Sequence, residues 1–266
     1  MVTVSRVRAQ TFLDEMSNGR NRPCLFSCRD GEEYREYVVK FHRQLGVGIV
    51  CEFVAALVGQ QLDLPIPPIA ITEISPRLVE AIPKSEIREL LANDPGPHFG
   101  SLLQTNQYQP LPTGFPLPDE FMPQILNIFA FDILIQNPDR SFRIDHGKQN
   151  LLFNGQQLVL FDYELAFSFT RLIASAYLPW ELRGQDWVKH HLFFGNIVRY
   201  AEKNKITFDE FCDQFMAIPE NFYEEVFGLL PPGWHDQSFV DKIAAHFRLV
   251  RDNIGLFKRG LLEALA

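Results

Sequence analysis

Strand-like runs of apolar residues alternate with turn-rich polar segments across residues 1–45. The runs are VRAQTFLDEM, CLFSC and YREYVVKF, and SNGRNRP separates the first two. The third follows RDGEE, in which Asp30-Gly31 is a hairpin signal. The pattern predicts three antiparallel strands with a flexible first turn.

Apolar positions then recur at helical spacing over residues 46–62. This predicts a helix that is apolar on nearly all sides and that ends at DLPIPP. IAITEI and HFGSLLQ are predicted strands. Between them, Ser75-Pro76 resembles an N-cap followed by proline at the first helical position, so short helices are predicted over residues 76–92.

A long helix is predicted over residues 119–136, followed by a polar loop over 137–150 and a hairpin in LLFNGQQLVLF. The chain from about residue 181 is predicted to be helical, and DKIAAHFRLVRDNIGLFKRGLLEAL forms one last amphipathic helix. A β-rich part with one buried helix, residues 1–104, thus precedes a mostly helical part, residues 105–266. This order predicts a bilobal α+β fold.

The composition of the chain argues against nucleic acid, a membrane and zinc as binding partners. Apolar residues make up 46% and the net charge is −8, which is typical of a globular protein without a basic nucleic-acid site. No run of eighteen apolar residues occurs, so we expect no contact with a membrane and a cytoplasmic location. The four cysteines lack a second metal-binding pair at finger spacing, which favours free thiols over a zinc site.

Two charged residues stand in apolar surroundings. Lys40 lies in the strand YVVKF, and Glu52 is the charged residue of the apolar helix 46–62. A buried carboxylate needs a partner, and a lysine twelve residues earlier can supply it. Such a pair positions ATP phosphates in protein kinases. The alternatives are a solubilising lysine on a sheet edge and a glutamate that reaches solvent.

A second group lies around the polar loop QNPDRSFRIDHGKQNLLF. Asp139 lies early in it, Asn150 lies at its end, and Asp162 follows an apolar strand twelve residues later. Phosphoryl transfer needs an acid that accepts the proton of the nucleophile and oxygen ligands that hold Mg²⁺. The three residues supply these parts in the order that kinases use. Each could instead form a local Asx-turn.

The turn SNGRN between the first two strands contains Gly19. Backbone N–H groups of such a turn can cover phosphates. A plain hairpin turn explains the same residues equally well. We expect the segment that binds adenine through its backbone near residues 101–105.

These motifs resemble the HipA-like kinase family. NPDR, NLLF and LVLFDYELAF are similar to its catalytic and metal-binding segments, while EYVVKF and LDLPIPP are similar to its lysine strand and the end of its glutamate helix. HFGS resembles a further segment of its shorter members. The resemblance covers most of residues 5–170, in the expected order.

The resemblance implies a protein-kinase-like fold that uses ATP and Mg²⁺. It implies that Lys40 contacts the α- and β-phosphates and that Glu52 orients it. Asp139 would be the catalytic base, and Asn150 and Asp162 would hold Mg²⁺. Members of the family phosphorylate Ser or Thr, so a protein substrate is expected, with an antitoxin or regulatory protein as a possible partner.

The resemblance also assigns supporting roles. Asn137 would brace the catalytic loop, and Asp132, in the apolar helix, would anchor that loop by hydrogen bonds. Some members modify their own glycine-rich loop, and Ser17 is the matching residue here.

The chain departs from the family pattern in the catalytic loop. The spacing from Asp139 to Asn150 exceeds the D-x4-N spacing of kinases, and Asp145 within the insertion competes with Asp139. Asn154 is the weaker alternative to Asn150 because it belongs to an Asn-Gly turn. Asp162 is followed by Tyr-Glu, so Glu164 is either a further metal ligand or a salt-bridged loop residue.

Three other functions stay open at this point. A nucleotide-binding pseudokinase would share the phosphate-binding residues and lack turnover. A kinase for a small molecule or lipid head group would differ in the shape of its cleft. A metal hydrolase would have to gather histidines with carboxylates, although no H-E-x-x-H motif occurs; the candidates are His42, His146, His190 and His191.

Overall fold

The computed structural model describes residues 2–16, 21–105, 107–111, 115, 117–141, 148–171 and 178–266. It contains a five-stranded barrel, a small three-stranded sheet and a set of C-terminal helices. The chain is therefore a mixed α+β protein, as the sequence predicts. No helix of the described residues is long and apolar enough to cross a membrane.

The barrel consists of β1 (Ser5–Glu15), β2 (Cys24–Asp30), β3 (Glu33–Lys40), β4 (Ile69–Glu73) and β5 (His98–Leu102). Its strand order is β1-β2-β3-β5-β4, and the ring closes through a parallel pairing of β1 with β4. The first three strands are antiparallel, as predicted. Alternate side chains point inward, and those of Val7, Phe26 and Val39 are fully buried.

Helices connect the barrel strands. After the short α1 (His42–Leu45), α2 (Gly48–Gln61) is buried at every residue from Gly48 to Gly59. The helix of the apolar segment is thus surrounded by protein, as its sequence predicts. The pieces predicted after β4 are α3 (Pro76–Ala81) and α4 (Ser85–Ala92). Ser75 caps α3, since its Oγ accepts a hydrogen bond of 3.2 Å from the N–H of Leu78.

The second half begins with β6 (Gln109–Pro110) and, after a 3₁₀ turn over Asp119–Phe121, the helix α5 (Met122–Leu134). The predicted hairpin is β7 (Leu151–Phe153) and β8 (Leu158–Leu160), and β6 pairs with β7 to complete a three-stranded sheet. The helices that follow are α6 (Asp186–Lys189), α7 (Phe194–Ala201), α8 (Asp209–Ala217), α9 (Phe222–Gly228), α10 (Gln237–Asp252) and α11 (Ile254–Ala264).

The prediction of one last helix is wrong. It is divided at Asn253, whose φ of −127° and ψ of 34° are not helical. The Asn253 side-chain amide donates to the carbonyl of Leu249 at 2.9 Å, which satisfies one of the carbonyls that the end of α10 leaves without a helical partner. Asparagine competes for backbone hydrogen bonds in this way, and the apolar periodicity on both sides conceals it.

A large hydrophobic core joins the two halves. It contains residues of α2, β4 and β5 together with residues of α5 and the C-terminal helices, such as Phe53, Ile71, Phe129, Phe167 and Phe247. A smaller cluster fills the inside of the barrel. Because the large core runs across residue 104, the two parts predicted from the sequence share one interior.

Candidate active site

A cavity of about 310 Å³ lies between the barrel, the segment that follows β5, and the hairpin β7–β8. Its walls are mainly apolar and include Val38, Ile69, Phe99, Leu152, Val159 and Leu160. Ser101, Leu102, Leu103 and Gln104 form one side, within the segment expected to hold adenine. Charged side chains lie among the other lining residues, including Lys40, Glu52, Lys148, Asp162 and Glu164.

Lys40 bridges two carboxylates in this cavity. Its Nζ contacts Oε1 of Glu52 and lies 2.7 Å from Oδ1 of Asp162. Lys40 and Asp162 are 122 residues apart in the chain. The end of β3, the interior of α2 and the end of β8 therefore meet at one point. The side chain of Glu52 is 2% exposed, so water does not stabilise its charge and the carboxylate depends on Lys40.

The surroundings shift the pKa of each member of this group. Burial raises the pKa of Glu52 to about 7, although the Lys40 ammonium beside it acts in the opposite direction. Burial also disfavours the Lys40 ammonium, but the two carboxylates outweigh this and raise the pKa of Lys40. Asp162 is desolvated too, and Lys40 more than compensates, which holds the pKa of Asp162 below its usual value. Asp162 is therefore ionised at neutral pH.

Asp139 and Asn150 lie side by side despite the long loop between them. The Asn150 Nδ2 donates a 2.8 Å hydrogen bond to Oδ2 of Asp139, across eleven residues of sequence. It also lies 3.4 Å from the backbone oxygen of Asp162. Burial raises the pKa of Asp139, although the hydrogen bond from Asn150 lowers it. The extra loop residues therefore do not prevent the hydrogen bond between Asn150 and Asp139.

Asn150 and Asp162 share an unusual backbone conformation. Their φ angles are 47° and 64°, in the left-handed region. Asn and Asp enter this region more readily than other non-glycine residues, yet it still costs free energy. Strain of this kind is found where the surrounding structure fixes a functional side chain.

A buried ionic network lies behind the loop. Arg140 Nε lies 2.7 Å from Oδ2 of Asp132, and the same oxygen is 3.0 Å from Nε2 of His191. The Asn137 amide donates to Oδ1 of Asp132 at 2.9 Å. The guanidinium of Arg140 also donates to the carbonyl of Asn150. Asp132 therefore anchors the loop, as expected, through Arg140 and Asn137.

Burial disfavours the ionised form of Asp132, but Arg140 and the hydrogen bonds from its neighbours hold the pKa of Asp132 below its usual value. Asn137 also accepts a hydrogen bond of 3.4 Å from the N–H of Asp139. The network links the end of α5 to both ends of the catalytic loop. Sequence reasoning identified Asp132 and missed the roles of Arg140 and His191.

Two further charged side chains, Lys148 and Glu164, lie near Asp162. Lys148 Nζ lies 3.9 Å from Oδ2 of Asp162 and its side chain is 46% exposed. Glu164 accepts a hydrogen bond of 2.6 Å from the Asn21 amide at the edge of the first turn. Glu164, Glu52 and Asp162 each place a carboxylate oxygen within 4.8 Å of the others, and oxygen ligands of this kind suit Mg²⁺.

Some predicted site residues cannot be placed. Gly19 and Ser17 lie outside the described residues, and so does Asp145. Asn154 is described, and its Oδ1 accepts hydrogen bonds of 3.0 and 2.8 Å from the N–H groups of Gln156 and Gln157. Asn154 therefore forms an Asx-turn, as expected from the Asn-Gly pair that made it the weaker alternative to Asn150.

Among the described residues, the histidines of the hydrolase alternative do not form a group suited to a metal. His191 contacts Asp132, whereas His42 lies 3.8 Å from Asp94, and His146 is outside the described residues. Across the part of the chain that the structure describes, the group of side chains suited to a metal is carboxylate alone. The four cysteines are buried free thiols, as predicted.

Comparison with known proteins gives a family and a similar fold. The sequence model of the HipA-like kinase family matches residues 9–258. A search of curated proteins finds no match. The fold is similar to the crystal structure of a proinflammatory kinase from Helicobacter pylori, CtkA, with a TM-score of 0.53 and 12% sequence identity. The similarity covers 95% of this chain and 98% of that one.

Proposed function

The chain belongs to the HipA-like kinase family, and from this premise we propose that it transfers the γ-phosphoryl group of Mg²⁺-bound ATP to a serine or threonine hydroxyl of a protein. Membership of the family makes it a kinase-type phosphotransferase. The proposal goes further by naming ATP as the nucleotide, Mg²⁺ as the metal and a protein hydroxyl as the acceptor. The arrangement of side chains around Asp162 supports it.

One observation carries the proposal. Lys40, Glu52 and Asp162 meet at a cavity with apolar walls, and Asp139 with Asn150 borders the same group. An apolar slot with a few convergent polar groups is the usual form of a site for a planar ligand. Adenine would occupy the apolar part beside residues 101–104, which directs the phosphates toward the charged residues.

The ammonium of Lys40 would hold phosphate oxygens, and Glu52 would keep it in position. Asp162 and Asn150 would bind Mg²⁺ through side-chain oxygens, with Glu164 as a further carboxylate ligand. The metal, when bound, neutralises charge that develops on the transferred group. Lys148, half-exposed and close to Asp162, adds a second ammonium to the same end of the cavity.

Asp139 would act on the acceptor. The acceptor hydroxyl oxygen attacks the γ-phosphorus, the bond from phosphorus to the oxygen of the β-phosphate breaks, and ADP leaves. The hydroxyl proton passes to the Asp139 carboxylate, which Asn150 holds in place through a 2.8 Å hydrogen bond. Burial raises the pKa of Asp139, which makes it a better proton acceptor than an exposed aspartate.

Nucleotide titrations with and without Mg²⁺ test the metal-dependent part of this proposal. For the wild type we expect Mg²⁺ to tighten ATP binding by about tenfold or more, since Asp162 would hold the metal and the metal would offset the charge of the phosphates. Asp162→Ala should remove this enhancement. Asp213→Ala, at an exposed position of α8, is the control and should behave as wild type.

The proposal is wrong if Asp162→Ala, with a circular-dichroism spectrum like that of the wild type, still binds ATP more tightly when Mg²⁺ is added. It is also wrong if the wild type binds no nucleotide.

A further inference from the structure

We propose that a groove on the outside of the barrel binds an acidic segment of a partner protein. The groove, called here the arginine groove, is lined by Arg6, Arg8, Glu73 and Arg77 and by two proline-containing segments that include Pro97 and Pro232. Its volume is about 920 Å³. This inference concerns binding alone and does not rest on the proposed phosphoryl transfer.

The arginines project outward because of the strand period. In β1, Val7 and Ala9 point into the barrel and are buried, so Arg6 and Arg8 point to its outer face. Their side chains are 58% and 78% exposed. Arg77, at the start of α3, is exposed and has no ion pair with the part of the chain that the structure describes. Three guanidinium groups therefore face the same open space.

The positive charge of this surface is not balanced. Glu73 is the carboxylate of the lining, and it lies 3.8 Å from Arg6 and 3.6 Å from Arg8. On the other side of β1, Arg8 stands directly opposite Arg29 of β2. Like charges in such a cross-strand pair destabilise a sheet. Arg29 thus adds positive charge next to Arg8, which favours a carboxylate-bearing ligand at this surface.

The groove is also held in shape. Leu78 of α3 lines it, and so do the segments that contain Pro97 and Pro232. The indole N–H of Trp234 donates a 3.0 Å hydrogen bond to the carbonyl of Pro97, which ties the C-terminal segment to the barrel. A preformed groove loses less conformational entropy when a ligand binds.

Charge complementarity selects the ligand. Guanidinium groups bind carboxylates through paired N–H···O bonds, so Asp- and Glu-rich peptide fits three arginines in an open groove. A nucleic acid also carries negative charge, but the chain as a whole has a net charge of −8. That field would repel a long polyanion while leaving a short acidic segment within reach of the groove.

The arginine groove is separate from the active-site cavity. No residue that lines the groove also lines the cavity. Arg8 and Arg77, which are substituted below, are exposed and lie outside the lining of the cavity. Changes in the groove should therefore leave the binding of nucleotide unaffected.

Fluorescence anisotropy with a labelled peptide of alternating Glu and Ser residues tests the inference. We expect the wild type to bind this peptide, with an affinity that falls as salt rises. Arg8→Glu combined with Arg77→Glu should weaken binding by about tenfold or more, since it replaces attraction by repulsion at two positions.

Arg183→Glu is the matched control. Arg183 is 81% exposed and lies 3.8 Å from Glu263, so its exposure and its pairing resemble those of Arg8. This variant should bind the peptide within about twofold of the wild type, because a distant exposed charge is screened. ATP affinity, measured on all three proteins, reports whether the charge reversals disturb the fold or the cavity.

Two results would overturn the inference. One is a wild type that binds no acidic peptide, or a double variant that binds it as well as the control does. The other is a single-stranded oligonucleotide of equal charge that binds more tightly than the peptide and is lost in the double variant, since the groove would then be a nucleic-acid site. A wild type that binds the peptide but no ATP would instead contradict the proposed function without affecting this inference.

Discussion

Lys40 and Glu52 show how much of the site single residues reveal. Both are charged residues in otherwise apolar segments, and burial of such a residue requires a partner. That argument predicted their contact, which the structure contains. Asp162 was predicted from its place after a strand, and it completes the group as the second carboxylate on Lys40. Their catalytic roles stay predictions.

Arg140 could not be interpreted in the same way. Its charge lies in a polar loop, where an exposed arginine is the ordinary expectation. Only the folded chain brings it under Asn150 and against Asp132, with its guanidinium carbon 5.3 Å from the centre of the Tyr163 ring. The same holds for His191, which comes from a segment far along the chain. Contacts between residues that are distant in the chain leave no local pattern in the sequence from which they could be predicted.

Arg140→Met is expected to destabilise the protein by about 3–5 kcal/mol, the usual cost of breaking a buried ion pair. The change leaves the Asp132 carboxylate without its cation and the carbonyl of Asn150 without a donor. Urea denaturation, followed by tryptophan fluorescence, measures the difference in the free energy of unfolding.

The control for this change is Arg35→Met, which breaks the exposed pair of Arg35 with Glu33. It should alter the free energy of unfolding by less than about 1 kcal/mol. Equal effects of the two substitutions would show that the buried network contributes no more than a surface ion pair.

At the scale of elements, the sequence predicted those with strong local signals. The buried helix α2, the hairpin β7–β8 and the Ser75 cap all have such signals and are all present. The break at Asn253 was missed because apolar positions continue at helical spacing on both sides of it. The helix ends there because the Asn253 side chain forms a competing hydrogen bond with the backbone. The periodicity of apolar residues does not reveal such a bond.

The helix after the break packs closely through a glycine. A methyl group at Gly260 would clash with the carbonyl oxygen of Trp180, a backbone atom that cannot turn away. Gly255, in the same helix, has open space at the corresponding point. The two glycines of α11 therefore differ in what a side chain would meet.

Gly260→Ala should destabilise the protein by about 1–3 kcal/mol, because the helix has to move away from Trp180. Gly255→Ala adds the same methyl group without a clash and should be neutral or stabilising by up to about 1 kcal/mol. Thermal denaturation of the two variants gives the comparison. A Gly260→Ala protein as stable as Gly255→Ala would mean that α11 does not lie against this backbone.

At the scale of the whole molecule, the α+β class followed from the order of the elements, and the closure of the barrel did not. Closure depends on the parallel pairing of β1 with β4, two strands separated by the buried helix. Strand patterns show which residues can pair with a neighbour but not which neighbour is chosen. The division into two lobes at residue 104 stays a prediction, and the shared core shows how closely the two parts are joined.

The cavity and the arginine groove are formed by two different sets of residues. Arg6, Arg8 and Glu73 of the groove belong to the strand pairing that closes the barrel, whereas Lys40 of the cavity lies at the end of β3. Docking at residues outside the cavity would let a partner be selected without any change in the catalytic residues.

The most direct test of the account is the rate of ADP release with Mg²⁺-ATP and casein as the hydroxyl acceptor, measured for wild type, Asp139→Asn and Asp145→Asn. We predict Mg²⁺-dependent turnover by the wild type and a loss of about 100-fold or more in Asp139→Asn, while ATP affinity stays within about threefold. Asp145→Asn should keep most of the wild-type rate. An inactive wild type, or a loss confined to Asp145→Asn, would contradict the account.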